Sequence, residues 1–193
     1  HALLRAYGRG LETDAAMRQA IGVGLAEMQA AYDRRMEDKY GKVRAALKEP
    51  PADVNLPRMP LEALKAYAAA NEGNYIAQMS LGVQLQRGGD LDGAAAAFRK
   101  AQALVPIVRG DDSPQALLAQ LAIRRRDHPA AIDALQSQVA VDFDNIDAAR
   151  QLAALLRETG VTEPARLEPV YQRIVAIDPF DADARTALGR LNG

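Results

Sequence analysis

The 193-residue chain is 49% hydrophobic, 25% charged and 5% aromatic, with no Cys and no Trp, a composition that fits one or two globular domains. Its 24 Lys plus Arg against 25 Asp plus Glu leave a formal charge of −1, too balanced for binding driven by the charge of a nucleic acid or an anionic membrane. Without cysteine there is no disulfide framework, thiolate nucleophile or Cys-ligated metal centre. Apolar runs such as Ala94 to Phe98 fall far short of the roughly 20 residues that span a bilayer, so no membrane insertion is expected. The chain opens on His1 with no charged-then-apolar leader, which reads as a processed or excised product.

Alanine supplies 39 residues, and β-branched residues rarely alternate with polar ones; both favour helix throughout. Ala2 to Tyr7 and Asp14 to Ile21 are predicted as short helices, punctuated by Gly8, Gly10, Gly22 and Gly24, with Thr13 as the N-cap of the second. From Leu25, apolar residues recur at steps of three or four through Met28, Tyr32, Met36, Tyr40, Val43 and Leu47. That spacing places them on one face of a longer helix, and such a face must pack on something. Residues 1–48 are therefore read as a small N-terminal helical segment. Pro50, Pro51, Pro57 and Pro60, with Asp53 and Asn55, make 49–60 a connector that no helix interior tolerates. Leu61 to Ala70 then forms a short helix able to cover the front of the helices beyond Tyr75.

From Tyr75 onward the pattern repeats on a longer scale. Leu81 aligns with Leu118, Ala94 with Ala131 and Phe98 with Leu135, each pair 37 positions apart; Leu152 and Ala153 lie 34 after Leu118 and Ala119, and Leu188 and Gly189 a further 36 on. Units of about 75–108, 112–145 and 146–180 result, with a terminal helix at 181–193. The first unit carries Leu81-Gly82, Gly89-Asp90, Ala94, Phe98, Ala101 and Pro106, and resembles the tetratricopeptide repeat, a helix–turn–helix unit of roughly 34 residues. Small Gly82 and Ala94 allow close helix approach, Phe98 fills space between neighbouring units, and Pro106 stops the second helix. In the second unit Arg126 replaces the turn glycine, Gln138 the small residue and Phe143 the proline; in the third, Pro164 and Pro169 blur the start of the second helix. The expected fold is all-α: a right-handed tetratricopeptide-like solenoid preceded by the N-terminal segment, its last interface covered by the terminal helix.

Leu3 to Gly10, Glu12-Thr13-Asp14-Ala15-Ala16 leading to Ile21-Gly22, the helix after Leu25, and Ile177-Asp178-Pro179-Phe180-Asp181 together resemble the C-terminal region of bacterial peptidase MA-like proteins. These are gluzincin-type metallopeptidases followed by tetratricopeptide repeats. The resemblance implies that residues 1–48 close a peptidase domain whose His-Glu-x-x-His zinc helix lies upstream, and implies a bacterial, extracytoplasmic setting. The chain itself contains no such motif. Its two histidines, His1 and His128, are far apart and lack partners at metal-ligand spacing. His128 reads as a solvated residue of the second unit's turn. No phosphate loop, nucleophile elbow or nucleophile–base pair is present, so neither catalysis nor a cofactor is expected. Arg124-Arg125-Arg126 lacks the interleaved aromatics of a base-stacking surface and reads as a solvated helix end.

The family's concave face is built from the first helix of each unit. Its expected lining here is Met79, Val83 and Arg87, then Leu117, Gln120 and Arg124, then Arg150, Ala154 and Arg157. An apolar groove with a basic edge suits a protein or peptide partner, its carboxylates meeting the arginines. The family's carboxylate-clamp pattern is not met, because Met79, Ser80 and Val83 stand where a clamp carries Lys and Asn. The expected function is non-catalytic protein or peptide binding, the alternative being an accessory region of an upstream zinc peptidase. The Leu25–Leu47 face leaves room for self-association.

Overall fold

The computed structural model describes residues 1–191, which hold eleven α-helices and no strand. The chain divides into two compact units, His1–Ala45 and Ala46–Gly193.

In the first unit α1 (Ala2–Gly8) packs on α2 (Thr13–Ile21), burying Ala6, Ala16 and Met17. The residue before α2 is Glu12, in extended conformation and making no side-chain cap, so Thr13 is the first helical residue and not the N-cap. Gly22, at φ +81°, ends the helix in a left-handed conformation that glycine adopts without steric cost. Helix α3 (Leu25–Ala46) is fastened to α2 at its start. The Asp14 carboxylate accepts the Leu25 N–H at 2.7 Å, and Arg18 bridges Asp14 at 2.9 Å and Glu27 at 3.2 Å. The Leu25 N–H and then Arg18 hold the Asp14 carboxyl below its ordinary value; the Gly24 N–H and then Arg18 do the same for Glu27. The apolar stripe of α3 does not pack as its spacing suggests. Leu25, Met28, Tyr32 and Tyr40 are between 43% and 57% exposed, because α2 is fastened only to the first turn.

In the second unit the proline-rich stretch is packed down. A 3-10 turn at Leu56–Arg58 drives Leu56 into a small core with Leu64, Ala68 and Ala77. Asn74 donates to the Lys48 carbonyl at 2.6 Å, Gln84 to that of Met59 at 2.9 Å, and Gln78 to that of Ala68 at 2.9 Å. Helix α4 (Leu61–Ala70) lies on α5 (Tyr75–Arg87), which pairs with α6 (Leu91–Leu104). Next come α7 (Pro114–Arg124) with α8 (His128–Val141), α9 (Ile146–Glu158) with α10 (Pro164–Ile177), and α11 (Ala182–Leu191). Each helix makes its principal contacts with its chain neighbours, as in a one-dimensional stack that nucleates and buries its core pair by pair. This is an all-α, tetratricopeptide-like solenoid. Asn192 and Gly193, counted in the terminal helix at 181–193, lie outside the described residues.

The five successive helix starts from α5 to α9 obey one rule. Asn74, Asp90, Ser113, Asp127 and Asn145 each accept the backbone N–H three residues ahead, satisfying a donor that the helix leaves unpaired. Capping by Asp127 makes His128 the first residue of α8, and not part of the turn. Pro164 begins α10 where a missing N–H costs nothing, and Pro169 lies inside that helix. Phe98 is fully buried with its ring against Gly82 of the same helix pair: a Cβ on Gly82 would run into the ring. The phenylalanine therefore fixes the spacing within its pair. One continuous core runs from Leu85 and Phe98 through Leu121, Leu135 and Leu152 to Ile174 and Ala184.

Candidate functional site

The first helices of adjacent pairs, α5 and α7, border an open groove of ≈ 560 Å³ lined by Met79, Val83, Gln86, Arg87, Asp112, Leu117 and Arg124. Positions four apart on α5 (Met79, Val83, Arg87) fall on one side of that helix, which is why a single face supplies an apolar floor and a terminal cation. Helix α7 supplies Leu117 and, at its last residue, Arg124. Both guanidinium groups stand at helix C-termini, where cations are favoured by the backbone dipole.

A second depression of ≈ 370 Å³ continues from the same three α5 residues to the packed connector, adding Leu56, Pro57, Ser80 and Gln84. Gln84 donates through Nε2 to the Met59 carbonyl at 2.9 Å, while its buried Oε1 has no hydrogen-bond partner among the described residues. A buried acceptor left unpaired costs about 1–3 kcal/mol, so Gln84 is held here by its bond to the connector at a cost on its other side. Sequence reasoning missed Gln84, because its orientation depends on the connector carbonyl 25 residues earlier.

Of the nine residues read from the sequence as a binding face, Met79, Val83, Arg87, Leu117 and Arg124 border this groove, and Ala154 is exposed away from it. Gln120, Arg150 and Arg157 are exposed elsewhere. Arg150 is held by the C-terminal end of the stack, at 2.8 Å from Asp181 and 3.3 Å from Asp178. Asp181 in turn accepts the Ala184 N–H at 2.8 Å, capping α11. The Ala184 N–H first, and Arg150 second, hold the Asp181 carboxyl below its ordinary value. Arg150 is therefore a clasp between α9 and α11, and its charge is already matched.

On the second-helix side a smaller depression of ≈ 210 Å³ is lined by Ala95, Arg99, Leu121, Arg125, Asp133 and Ser137, among others. Arg125 there is paired with Asp92. Among the described residues no three His, Asp or Glu side chains converge as metal ligands, and no helix is long and apolar enough to cross a membrane.

No protein-family model matches the sequence, and no curated protein does. Among solved structures, a crystal structure of MamA is 21% identical with a TM-score of 0.48, over 68% of this chain and 74% of that one. A second MamA structure is 19% identical with a TM-score of 0.48, over 86% and 82%. The APC/C hetero-tetramer Cut9-Hcn1 is 20% identical with a TM-score of 0.42, over 68% of this chain and 26% of that one. The architecture itself rests on the consecutive packing of α4 to α11.

Proposed function

We propose that the chain is a non-catalytic interaction scaffold whose α5–α7 groove takes an extended or helical peptide carrying apolar side chains and at least one carboxylate. The observation that carries this reading is the continuous run from Leu56 and Gln84 through Met79 and Val83 to Leu117, closed by Arg87 and Arg124. Apolar ligand side chains bury against Met79, Val83 and Leu117, and carboxylates meet the two guanidinium groups. Asp112, on the same rim, disfavours an acidic residue beside it and so contributes to ligand register. In this reading residues 61–193 are the binding part, 49–60 complete the groove wall, and 1–48 form a separate helical segment.

Peptide display against the folded chain tests it. Selected sequences are expected to combine apolar anchors with acidic residues, and Arg87→Glu with Arg124→Glu is expected to abolish their binding at unchanged helicity. Selection of sequences indifferent to both substitutions contradicts the assignment. The alternative, an accessory region of an upstream zinc peptidase, is supported by the sequence resemblance alone.

A further inference from the structure

The two ends of the α5–α7 groove carry opposite charge. In a stack of consecutive helix pairs the chain reverses at each turn, so α5 and α7 run the same way. Arg87 and Arg124 are the last residues of α5 and α7, and both therefore stand at one end of the groove. Asp112 directly precedes Ser113, the N-cap of α7, and stands at the other. Each charge complements the backbone dipole of the helix beside it, which is why the signs separate by end. Helix α7 is 11 residues long, so Asp112 and Arg124 lie about 16 Å apart along its axis.

Of the residues lining the groove, Asp112 is the one acid, and Arg87 and Arg124 are the two bases. All three are exposed, and none of them joins an ion pair among the described residues. Other charges near the ends of these helices are already matched: Glu72, before α5, pairs with Lys100 at 3.2 Å, and Arg125, after α7, pairs with Asp92. Between the charged ends Met79, Val83 and Leu117 form an uncharged floor.

We infer that the ligand of this groove is a bipolar peptide segment, with an acidic residue at the Arg87–Arg124 end, apolar residues over the floor, and a Lys or Arg at the Asp112 end. The inference rests on the peptide-binding reading above and adds to it a required base and one order of charge along the groove. A ligand laid the other way sets base against Arg87 and Arg124 and acid against Asp112, so like charges meet at both ends. The separation of those ends sets the spacing: acid and base stand about five residues apart in an extended ligand, or about eleven in a helical one. The apolar floor supplies affinity, and the two ends choose the orientation.

Peptide display on the whole chain, on Asp112→Lys and on Asp111→Lys tests it, the last because Asp111 is exposed but does not line the groove. The parent and Asp111→Lys are expected to select the same sequences, acidic at one end and basic at the other. Asp112→Lys is expected to select an acid in place of the base. A peptide selected on the parent is expected to bind Asp112→Lys about fivefold or more weakly at unchanged circular dichroism. Replacing that peptide's Lys or Arg by Glu is expected to restore its affinity for the variant and to weaken its binding to the parent. Selection without a base, an unchanged motif on Asp112→Lys, or a failed rescue overturns the inference, and leaves the groove assignment standing where binding still depends on Arg87 and Arg124. Selected peptides indifferent to both arginines, or no selected peptide at all, overturn the two together.

Discussion

Arg126, at φ +55°, occupies the turn position that Gly89 holds at +85° one helix pair earlier and Gly160 at +76° one pair later. The backbone bonds are equivalent: Gly89, Arg126 and Gly160 donate to the carbonyls of Gln86, Ile123 and Arg157, and the next residue of each turn donates to Leu85, Ala122 and Leu156. The same left-handed turn is thus made by two glycines and an arginine, and among the described residues Arg126 is the one non-glycine at positive φ.

A side chain in that conformation costs about 1 kcal/mol relative to glycine. Arg126→Gly is expected to raise stability by up to about 1 kcal/mol, offset in part by the greater freedom of the unfolded chain. Gly89→Ala and Gly160→Ala are expected to lower it by about 1 kcal/mol. Urea unfolding of the three variants checks the sign at each turn; an Arg126→Gly protein less stable than its parent contradicts the account.

The contact of Phe98 with Gly82 predicts a coupled pair. Gly82→Ala gains about 1 kcal/mol of helix propensity but pushes a methyl into the ring, an overpacking worth about 1–3 kcal/mol. The second unit carries Ala119 and Leu135 at the equivalent positions, so Gly82→Ala combined with Phe98→Leu reproduces a combination the fold already uses. A double-mutant cycle is expected to give a favourable coupling of about 1 kcal/mol or more. Strict additivity would show that the ring does not set the helix spacing.

Acid is expected to release the C-terminal helix before the middle of the stack. The folded-state pKa of Asp181 lies below its ordinary value of 3.8, so the unfolded chain binds the proton more readily. The carboxylate's stabilisation is therefore complete above that ordinary value and is lost as pH falls through the lowered one. Hydrogen exchange at α11 amides, followed from neutral pH to below about 3.8, is expected to accelerate more than exchange in α6 or α7. Asp181→Ala is expected to remove the acid step and to cost about 1 kcal/mol at neutral pH through the lost cap. Acceleration spread evenly over the stack would contradict the clasp.

Features that depend on nearby residues are the ones legible in the sequence. Helix α6 is readable from Asp90, four alanines and Phe98, and its preceding turn from Gly89, because capping and periodicity act within a few positions. Arg126 is legible as a substitution for glycine, but its conformation is not, since a side chain in a left-handed turn is tolerated only when the flanking helices are already packed. His128 belongs to the helix and not to the turn because Asp127 takes the cap, a boundary shift of one residue that pattern does not resolve. The binding face is read through helical spacing, which brings five of its residues to one groove. Arg150 obeys the same spacing, yet it is held by Asp178 and Asp181, roughly thirty residues downstream, partners that local pattern does not reveal. Gln84 depends likewise on the Met59 carbonyl. The exposure of α3 is unreadable for a further reason: periodicity defines an apolar face and says nothing of what covers it.

The central claim, that the groove between α5 and α7 binds an acidic, apolar peptide, is tested most directly by titrating a display-selected peptide into the chain and into its Arg87→Glu/Arg124→Glu variant at two salt concentrations. The parent is expected to bind with an affinity that weakens with salt, and the variant to lose about 2 kcal/mol or more at unchanged circular dichroism. Equal affinity for both proteins, independent of salt, would contradict the claim.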